Sequence, residues 1–233
     1  MLLSNSKLPL FPLELVLFPG MMLPLHIFEP RYKTMMRECM GKGQPFGVVL
    51  AKGLSTRSDI SENPLFNEMY NIGTTAHITA VEHLDDGRMN LITVGQDRFI
   101  IKDIQVGEGK YFVGDVDPFP IQDNDPNRVD ALMKKLRPMV QRYIDHLAEA
   151  SGEDLSEANL PIDPTALAYL AGTAMQGSLP DKQKLLSAKS LTSLIANTVS
   201  VLDREDQILV YMLKAHDAHH QIERLPFVDY SLN

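Results

Sequence analysis

Four prolines interrupt the most apolar stretch of the chain, which runs from Leu8 to Leu25 and contains Pro9, Pro12, Pro19 and Pro24. Because a proline lacks the backbone donor of a helix and clashes with the preceding turn, this stretch cannot form one long helix. A membrane span, which needs about 20 continuous apolar residues in a helix, is therefore not predicted. A signal peptide is not predicted either, since the opening MLLSNSK lacks a basic leader and no small-residue cleavage site follows. We expect short strands separated by turns.

The beginning of the chain is predicted to form extended segments followed by one helix. Proline confines residues 8–13 to a sheet edge or an irregular extended path. Residues 15–18 and 22–25 are predicted strands on either side of the Pro19-Gly20 turn. After Glu29, apolar residues recur at helical spacing, and they are Tyr32, Met35, Met36, Cys39 and Met40. Pro30 suits the first turn of this helix and Gly41 its end.

The middle of the chain alternates strand patterns with turn residues. Strands are predicted over 45–50, 75–81, 89–94, 99–104 and 110–116. Asp86-Gly87 is a hairpin turn signal, 95–97 is predicted to separate two strands, and the polar stretch 52–69 is predicted to be a long surface loop. Because exposed strand edges promote aggregation, these mostly antiparallel strands are expected to close into a small barrel.

Helical spacing begins after the proline-rich stretch 117–127. A helix is predicted over 129–147, and Pro138 is expected to kink it near Lys134 to Lys135. Further helices are predicted from Pro164, with Asp163 as its N-cap, over 181–188, and from Leu191 toward His216. The last helix is expected to direct inward Leu194, Ile195, Leu202, Leu209, Met212 and Leu213. A small bundle would bury these helical faces. We therefore predict an α+β chain with a mostly antiparallel β-barrel subdomain over 1–120, containing one early helix, and a helical subdomain over 121–233.

Charge and cysteine content narrow the function classes. The chain has 22 Lys and Arg residues against 30 Asp and Glu residues, which gives a net charge of −8. This balance disfavours nucleic-acid binding, because nucleic-acid binders usually carry a basic field. The one cysteine, Cys39, allows no internal disulfide, and on the apolar face of the first helix it is expected to be buried and inert. Cytoplasm is the expected compartment.

The sequence carries none of the common catalytic motifs. It contains no GxxxxGK[ST], GxSxG, HExxH or CxxC, so the ATPase, esterase, zincin and zinc-ribbon classes lack their signatures. The HDAHH cluster, with His216, His219 and His220, could place two imidazoles on one helical face. Histidines near a helix C-terminus are commonly solvated, however, and neither a metal nor another cofactor is predicted. His26, among apolar neighbours, is expected to be a partly buried, hydrogen-bonded histidine rather than a catalytic base.

Three ordered blocks near the start of the chain resemble the opening of the Lon N-terminal, substrate-binding domain family. They are PLFP at 9–12, VLFPG at 16–20 and PLHIFEPRY at 24–32. The resemblance is strongest to about Asp117, and it implies a PUA-like β pseudo-barrel and a role in substrate recognition. The chain is too short to hold the ATPase and Ser-Lys protease domains of full-length Lon as well. It is therefore expected to be a freestanding copy of the domain and not an enzyme.

The predicted function is capture of exposed apolar polypeptide segments without catalysis. Apolar side chains near the start of the chain are the candidate contacts, and they are Leu10, Leu13, Met21, Met22 and Phe28. Flexible thioethers suit surfaces that accept varied partners, and both methionines directly follow the Pro19-Gly20 turn. The expected partners are unfolded or apolar protein segments. A protease or chaperone could act with the domain in protein quality control.

Three charged residues are assigned to the architecture instead of to binding. A carboxylate in the first turn of a helix is favoured by the helix dipole, and it can accept a bidentate arginine bond. Glu29 is therefore expected to pair with Arg31 or Arg98 and to fix the first helix against the barrel.

Two other function classes stay open. PUA-like barrels include RNA modules, so nucleic-acid or small-molecule binding is the first alternative, and a basic, aromatic-bearing face would favour it. A hydrolase is the second alternative. It would require a nucleophile, a base and an orienting group that converge in one pocket.

Overall fold

The computed structural model describes residues 6–52, 69–122, 125–152 and 159–223, with side chains described as far as 216. The fold is α+β, as predicted, with strands first, one early helix and further helices after them. The elements are β1 (Ser6–Leu13), β2 (Met22–Ile27), α1 (Pro30–Lys42), β3 (Phe46–Leu50), β4 (Ile72–His83), β5 (Met89–Val106), β6 (Phe112–Pro118), α2 (Pro126–Ser151), α3 (Pro164–Ala174), α4 (Leu179–Leu186) and α5 (Leu191–Glu223). The predicted loop at 52–69 and the tail at 225–233 lie almost entirely outside the described residues.

The strands form one mixed sheet that closes on part of itself. Its order is β2-β5-β4-β3-β1-β6, and β5 pairs with β6 as well, so every strand except β2 belongs to a closed circuit. The β1–β3 pairing is parallel, and the other pairings are antiparallel. β5 makes the closure possible because its first half pairs with β2 and its second half with β6. The sheet is therefore mixed and partly closed, with β2 beside the circuit, so the predicted closure into a small barrel holds only in part.

The separation of two strands predicted at 95–97 does not exist, because β5 continues through these residues. The pairing of β4 with β5 shifts register there, which is the mark of a β-bulge. The Asp97 N–H at the bulge donates to Thr75 Oγ1 over 2.9 Å. Gly95 is needed for a close approach, since a Cβ on it would lie 2.4 Å from the Phe18 carbonyl oxygen. A glycine that makes room for another backbone looks like a turn residue in the sequence.

The prediction of a sheet edge or an irregular extended path for the first strand is wrong, since β1 is a strand that lies between β3 and β6. The register explains how two prolines fit there. Pro9 has a partner only in β6, opposite Val113, and Pro12 has a partner only in β3, opposite Val49. Each proline therefore occupies a position with one strand neighbour, where a missing N–H is tolerated.

The strand predicted at 15–18 is instead an irregular segment between β1 and β2. A side chain of the sheet binds the backbone of this segment, because Thr74 Oγ1 of β4 donates to the Leu17 carbonyl over 2.6 Å. Phe18 is completely buried and contacts the Tyr169 ring of α3, with centroids 5.7 Å apart. Gly20, with φ of 82°, then makes the turn into β2. The segment joins the sheet to the helices.

The helix termini follow their local signals closely. α1 begins at Pro30 as predicted and buries Tyr32, Met35, Met36 and Cys39, although its C-cap is Gly43, with φ of 60°, two residues beyond the predicted Gly41. α3 begins at Pro164, and its N-cap Asp163 accepts a hydrogen bond from the Ala166 N–H, as predicted.

Three helical predictions need correction or completion. α4 covers Leu179–Leu186 and not 181–188, because Ser178 caps it and Pro180 lies in its first turn. Pro138 lies inside α2, which continues to Ser151. Met212 of α5, predicted to point inward, is 61% exposed.

One of the three hydrophobic clusters among the described residues joins the sheet to the later helices. Val16, Phe18 and Ile72 belong to the same buried cluster as residues from α2 to α5. A buried glutamine adds a polar tie, since Gln183 Nε2 of α4 donates to the Ile72 carbonyl of β4 over 2.9 Å. The helices are therefore part of the packing of the sheet.

Candidate functional site

Large apolar side chains that stand exposed mark the candidate binding surfaces. Among the described residues they are Met22, Phe28, Val81, Val106, Ile162, Ile208, Tyr211 and Met212. Two of them belong to the predicted contact set. Met22 is 63% exposed at the start of β2, and Phe28 is 59% exposed just after its end. The two accessible side chains therefore bracket one strand.

The alternation of β2 explains this exposure. Leu23 and Ile27 are buried in a cluster with side chains of α1, whereas Met22, Pro24 and His26 are exposed. Successive side chains of a strand point to opposite faces of the sheet. The exposed set therefore shares the outer face, and α1 covers the inner face.

The neighbouring strand extends the apolar part of this outer face. Met22 pairs with Val94 and Pro24 with Ile92 across the β2–β5 ladder, and residues directly opposite each other in a ladder lie on the same face. Both β5 side chains are partly exposed. We call the surface formed by Met22, Pro24, Phe28, Ile92 and Val94 the β2 face.

A chain of hydrogen bonds borders the β2 face at its Phe28 end. His26 Nδ1 lies 2.7 Å from Asn90 Oδ1, and Asn90 Nδ2 donates to Glu82 Oε2 over 2.8 Å. Since the amide donates to the carboxylate, its oxygen is the acceptor, and the network assigns a proton to His26 Nδ1. Arg88 Nη1 lies 3.5 Å from His26 Nε2. The Phe28 ring stacks on His26 with centroids 6.1 Å apart, so the network holds the ring that supports Phe28.

His26 differs from its prediction in one respect. It is hydrogen-bonded as expected, but it is exposed and not partly buried. Its partners in the described residues are an amide, a guanidinium and an aromatic ring, none of which is a nucleophile. These contacts fit a positioning role and give no support to base catalysis.

Leu10, another predicted contact residue, is completely buried. It lies inside the closed circuit, where glycines on two neighbouring strands make room for it. A Cβ on Gly47 or on Gly114 would come within 2.9 Å of a Leu10 methyl carbon. Leu10 therefore belongs to the core, and we remove it from the set of candidate contact residues. Leu13 and Met21 are partly buried and pack against core clusters.

Sequence reasoning missed three residues of the β2 face, namely Pro24, Ile92 and Val94. The alternation in MLPLHI was a usable signal, because it places Pro24 on the same side as Met22. The two β5 residues carried no such signal. Their place beside β2 depends on a pairing between segments about seventy residues apart in the chain.

The three charged residues predicted to have an architectural role lie at two separate places in the fold. Glu29 Oε2 lies 2.8 Å from Arg31 Nη2, so Glu29 pairs with Arg31 and not with Arg98. Both side chains are partly exposed, and such a pair contributes about 0–1 kcal/mol. Arg98 Nη1 instead donates to the carbonyls of Leu186 and Ala188 at the end of α4, over 2.5 and 2.7 Å. Burial lowers the pKa of Arg98, and the nearby Tyr169 opposes that shift.

Cys39 is expected to resist alkylation while the protein is folded. Its thiol is completely buried, and this burial raises the pKa of Cys39 to about 11. Only about 0.1% would be thiolate at pH 8, and the thiolate is the reactive form. Mass spectrometry after iodoacetamide treatment at pH 8 should show an unmodified folded protein and a fully modified urea-unfolded protein. Rapid modification of the folded protein would contradict the burial.

The residues that the structure describes include neither a cluster of metal ligands nor a membrane-spanning helix. Within them, no group of three or more His, Cys, Asp or Glu side chains lies close enough together to hold a metal ion. His216 is exposed, and the rest of HDAHH lies outside the residues whose side chains are described. In the same part of the chain, none of the helices has the length and apolar character to cross a bilayer.

Comparison of sequences identifies relatives over most of the chain. Residues 7–204 match the model of the ATP-dependent protease La (LON) substrate-binding domain. The chain is 23% identical to the Lon protease of Parabacteroides distasonis, over 96% of this chain and 27% of that protein. It is 26% identical to the Lon protease of Flavobacterium johnsoniae, over 87% of this chain and 24% of that protein. The chain thus spans about a quarter of the length of these curated relatives.

Two solved structures share the fold. A Lon N-terminal domain protein from Xanthomonas campestris aligns with a TM-score of 0.59 and 22% identity, over 84% of this chain and 98% of that one. The N-terminal domain of a Mycobacterium avium complex Lon protease aligns with a TM-score of 0.62 and 18% identity, over 85% and 98% of the two chains. At such identities the likeness shows the fold alone. The family model, which covers most of the sequence, shows that the chain belongs to the LON substrate-binding domain family.

Proposed function

We propose that this chain is a non-catalytic module that captures exposed apolar segments of other polypeptides on the β2 face. The observation that carries the proposal is the pair of large apolar side chains, Met22 and Phe28, that stand more than half exposed at the two ends of β2. Membership of a substrate-binding domain family supports a protein ligand. The matched region corresponds to that domain and not to ATPase or protease domains, which supports a role without catalysis.

The composition of the β2 face suits apolar ligands that differ in sequence. Met22 is flexible and polarizable, so it adapts to ligand side chains of different shapes. Phe28 offers a large apolar area whose orientation the His26 ring supports. Complete burial of one such side chain by a ligand contributes about 1.5–3 kcal/mol. A surface with two anchors of this kind is suited to moderate, reversible binding.

Replacing both anchors by aspartate tests the proposal. We expect the Met22→Asp/Phe28→Asp variant to bind a fluorescein-labelled peptide of alternating leucine and threonine, with lysines at its ends, at least about tenfold more weakly than wild type. The reason is that a ligand would have to bury carboxylates without partners. Fluorescence anisotropy at physiological salt measures the affinity. Because both positions are exposed, the free energy of unfolding should change by less than about 0.5 kcal/mol.

Met212→Asp is the matched control. Met212 has the same side chain as Met22 and nearly the same exposed fraction, 61% against 63%, but it lies on α5. This variant should bind the peptide like wild type. Equal weakening by the α5 variant, or no weakening by the β2 variant, would contradict the assignment to the β2 face. Binding of single-stranded RNA in a parallel titration, without peptide binding, would instead favour the nucleic-acid alternative.

The barrel type and the subdomain boundaries of the chain are part of the same proposal. The closed circuit with β2 beside it would correspond to the PUA-like pseudo-barrel that the family resemblance implies. The division into a β-barrel subdomain over 1–120 and a helical subdomain over 121–233 would describe architecture and not independent folding. The cluster shared by Phe18, Ile72 and the helices supports the view that the two subdomains do not fold independently.

A further inference from the structure

β2 stands at the end of the sheet and has one strand neighbour. It pairs with β5, and no other described strand pairs with it. One of its two backbone edges is therefore without a strand partner in the part of the chain that the structure describes. An edge of this kind is a template for another extended chain.

The hydrogen bonds identify which residues of β2 face the open edge. The Gly95 N–H donates to the Met21 carbonyl over 2.9 Å, and Thr93 Oγ1 donates to the Leu23 carbonyl over 2.9 Å. Odd-numbered residues of β2 thus direct their backbone groups toward β5. Since backbone groups alternate in direction along a strand, Met22, Pro24 and His26 direct theirs toward the open edge. All three residues are exposed.

Pro24 occupies the middle of this edge and removes one of its donors. Proline is found on edge strands with the missing N–H turned away from the ladder, and Pro24 follows that rule. The open edge therefore presents the N–H groups of Met22 and His26 and the carbonyls of all three residues. Groups on the same edge repeat every second residue, at intervals of about 7 Å.

We propose that an extended segment of another polypeptide binds as an added strand along the open edge of β2. This inference rests on the proposed function and names how the captured segment is held. Donors and acceptors that alternate at this interval match a polypeptide backbone, whose main-chain bonds supply affinity independent of sequence. Every second side chain of the added strand would lie on the outer side of the sheet, beside Met22 and Phe28. The ligand class is therefore an extended segment with alternating apolar residues.

Residue-level hydrogen exchange, followed by NMR, tests the inference with the alternating leucine and threonine peptide. In the free protein the amides of Met22 and His26 should exchange fast, and those of Leu23, Leu25 and Ile27 slowly. Saturation with peptide should slow exchange at Met22 and His26 by at least about tenfold. The three odd-numbered amides, already paired with β5, are the internal control.

The possible outcomes separate the two proposals. Peptide binding that Met22→Asp/Phe28→Asp weakens, with no added protection at Met22 and His26, would overturn strand addition and leave the proposed function standing. Absence of peptide binding would overturn both. Protection of the two amides without peptide, increasing with protein concentration, would show that a second copy pairs at the edge, and it would overturn the assignment of the ligand.

Restoring the missing donor gives an independent test. The Pro24→Val variant adds one N–H to the open edge, so we expect it to bind the peptide roughly three- to tenfold more tightly than wild type. Two peptides of one sequence, N-methylated on alternate residues in opposite phase, provide the backbone control. One phase should lose binding, and the other should keep it. Equal effects of the two phases, or unchanged affinity in Pro24→Val, would contradict strand addition.

Discussion

Replacement of Arg98 by methionine is expected to lower the free energy of unfolding by about 2–4 kcal/mol. The guanidinium satisfies two carbonyl oxygens, of Leu186 and Ala188, at the C-terminal end of α4, where the helix dipole also favours a cation. It also lies over the Phe119 ring, 4.8 Å from its centroid. Methionine fills similar space without donors, so the two carbonyls would stay buried and unpaired. The melting temperature should fall by about 5–10 °C.

Urea unfolding followed by circular dichroism measures this change in the free energy of unfolding. Two further variants serve as comparisons. Arg88→Met removes an arginine from an exposed ion pair with Asp86 and should change the free energy of unfolding by less than about 1 kcal/mol. Arg98→Lys keeps the charge but replaces Nη1, the nitrogen that donates to both carbonyls, by an ammonium on a different stem, so its stability should fall between those of wild type and Arg98→Met. An Arg98→Met protein as stable as wild type would show that the free-energy cost of burying the guanidinium cancels the stabilisation from its hydrogen bonds.

The signals that succeeded in the sequence are local ones. The start of α3 follows from two adjacent residues, Asp163 as cap and Pro164 in the first turn, and the structure confirms both. The buried face of α1 follows from helical spacing within one segment. Such features need no knowledge of what lies beside them, because their cause lies within a few residues of the chain.

The signals that failed depend on distant parts of the chain. Gly95 predicts an interruption between two strands, because nothing nearby in the sequence indicates the Phe18 backbone that presses against it. Pro9 and Pro12 predict an edge or irregular segment, because the sequence does not show that β3 and β6 each cover only half of β1. The exposure of residues near the start of the chain likewise depends on distant parts of the chain. Leu10 could be distinguished from Met22 only after closure of the circuit placed it inside.

The candidate site combines both kinds of information. Alternation along β2 is enough to place Met22, Pro24 and His26 on one side, and this much could be predicted. The contribution of Ile92 and Val94 and the open edge of β2 follow from the strand order. The predicted contacts at Met22 and Phe28 stay predictions until peptide binding is measured.

Substitution of Gly73 by alanine is expected to destabilise the protein by about 3 kcal/mol or more. Gly73 lies in β4, where an added Cβ would lie 2.4 Å from the Val48 carbonyl oxygen and 2.7 Å from both the Phe99 ring and a Val49 methyl. A side-chain end could rotate away, but the Val48 carbonyl belongs to the β3 backbone, so the two paired strands would have to move apart. One methyl group would therefore disturb the wall of the closed circuit.

Gly41→Ala provides a control that should change stability in the opposite direction. Gly41 lies inside α1, and a Cβ on it would meet no atom within 4 Å. Alanine there should raise the free energy of unfolding by up to about 1 kcal/mol, because it has the higher helix propensity. Urea unfolding of both variants gives the comparison. If Gly73→Ala were as stable as wild type, β3 and β4 would have to be more loosely packed than this structure shows. That result would contradict the close packing of the two strands in the closed circuit.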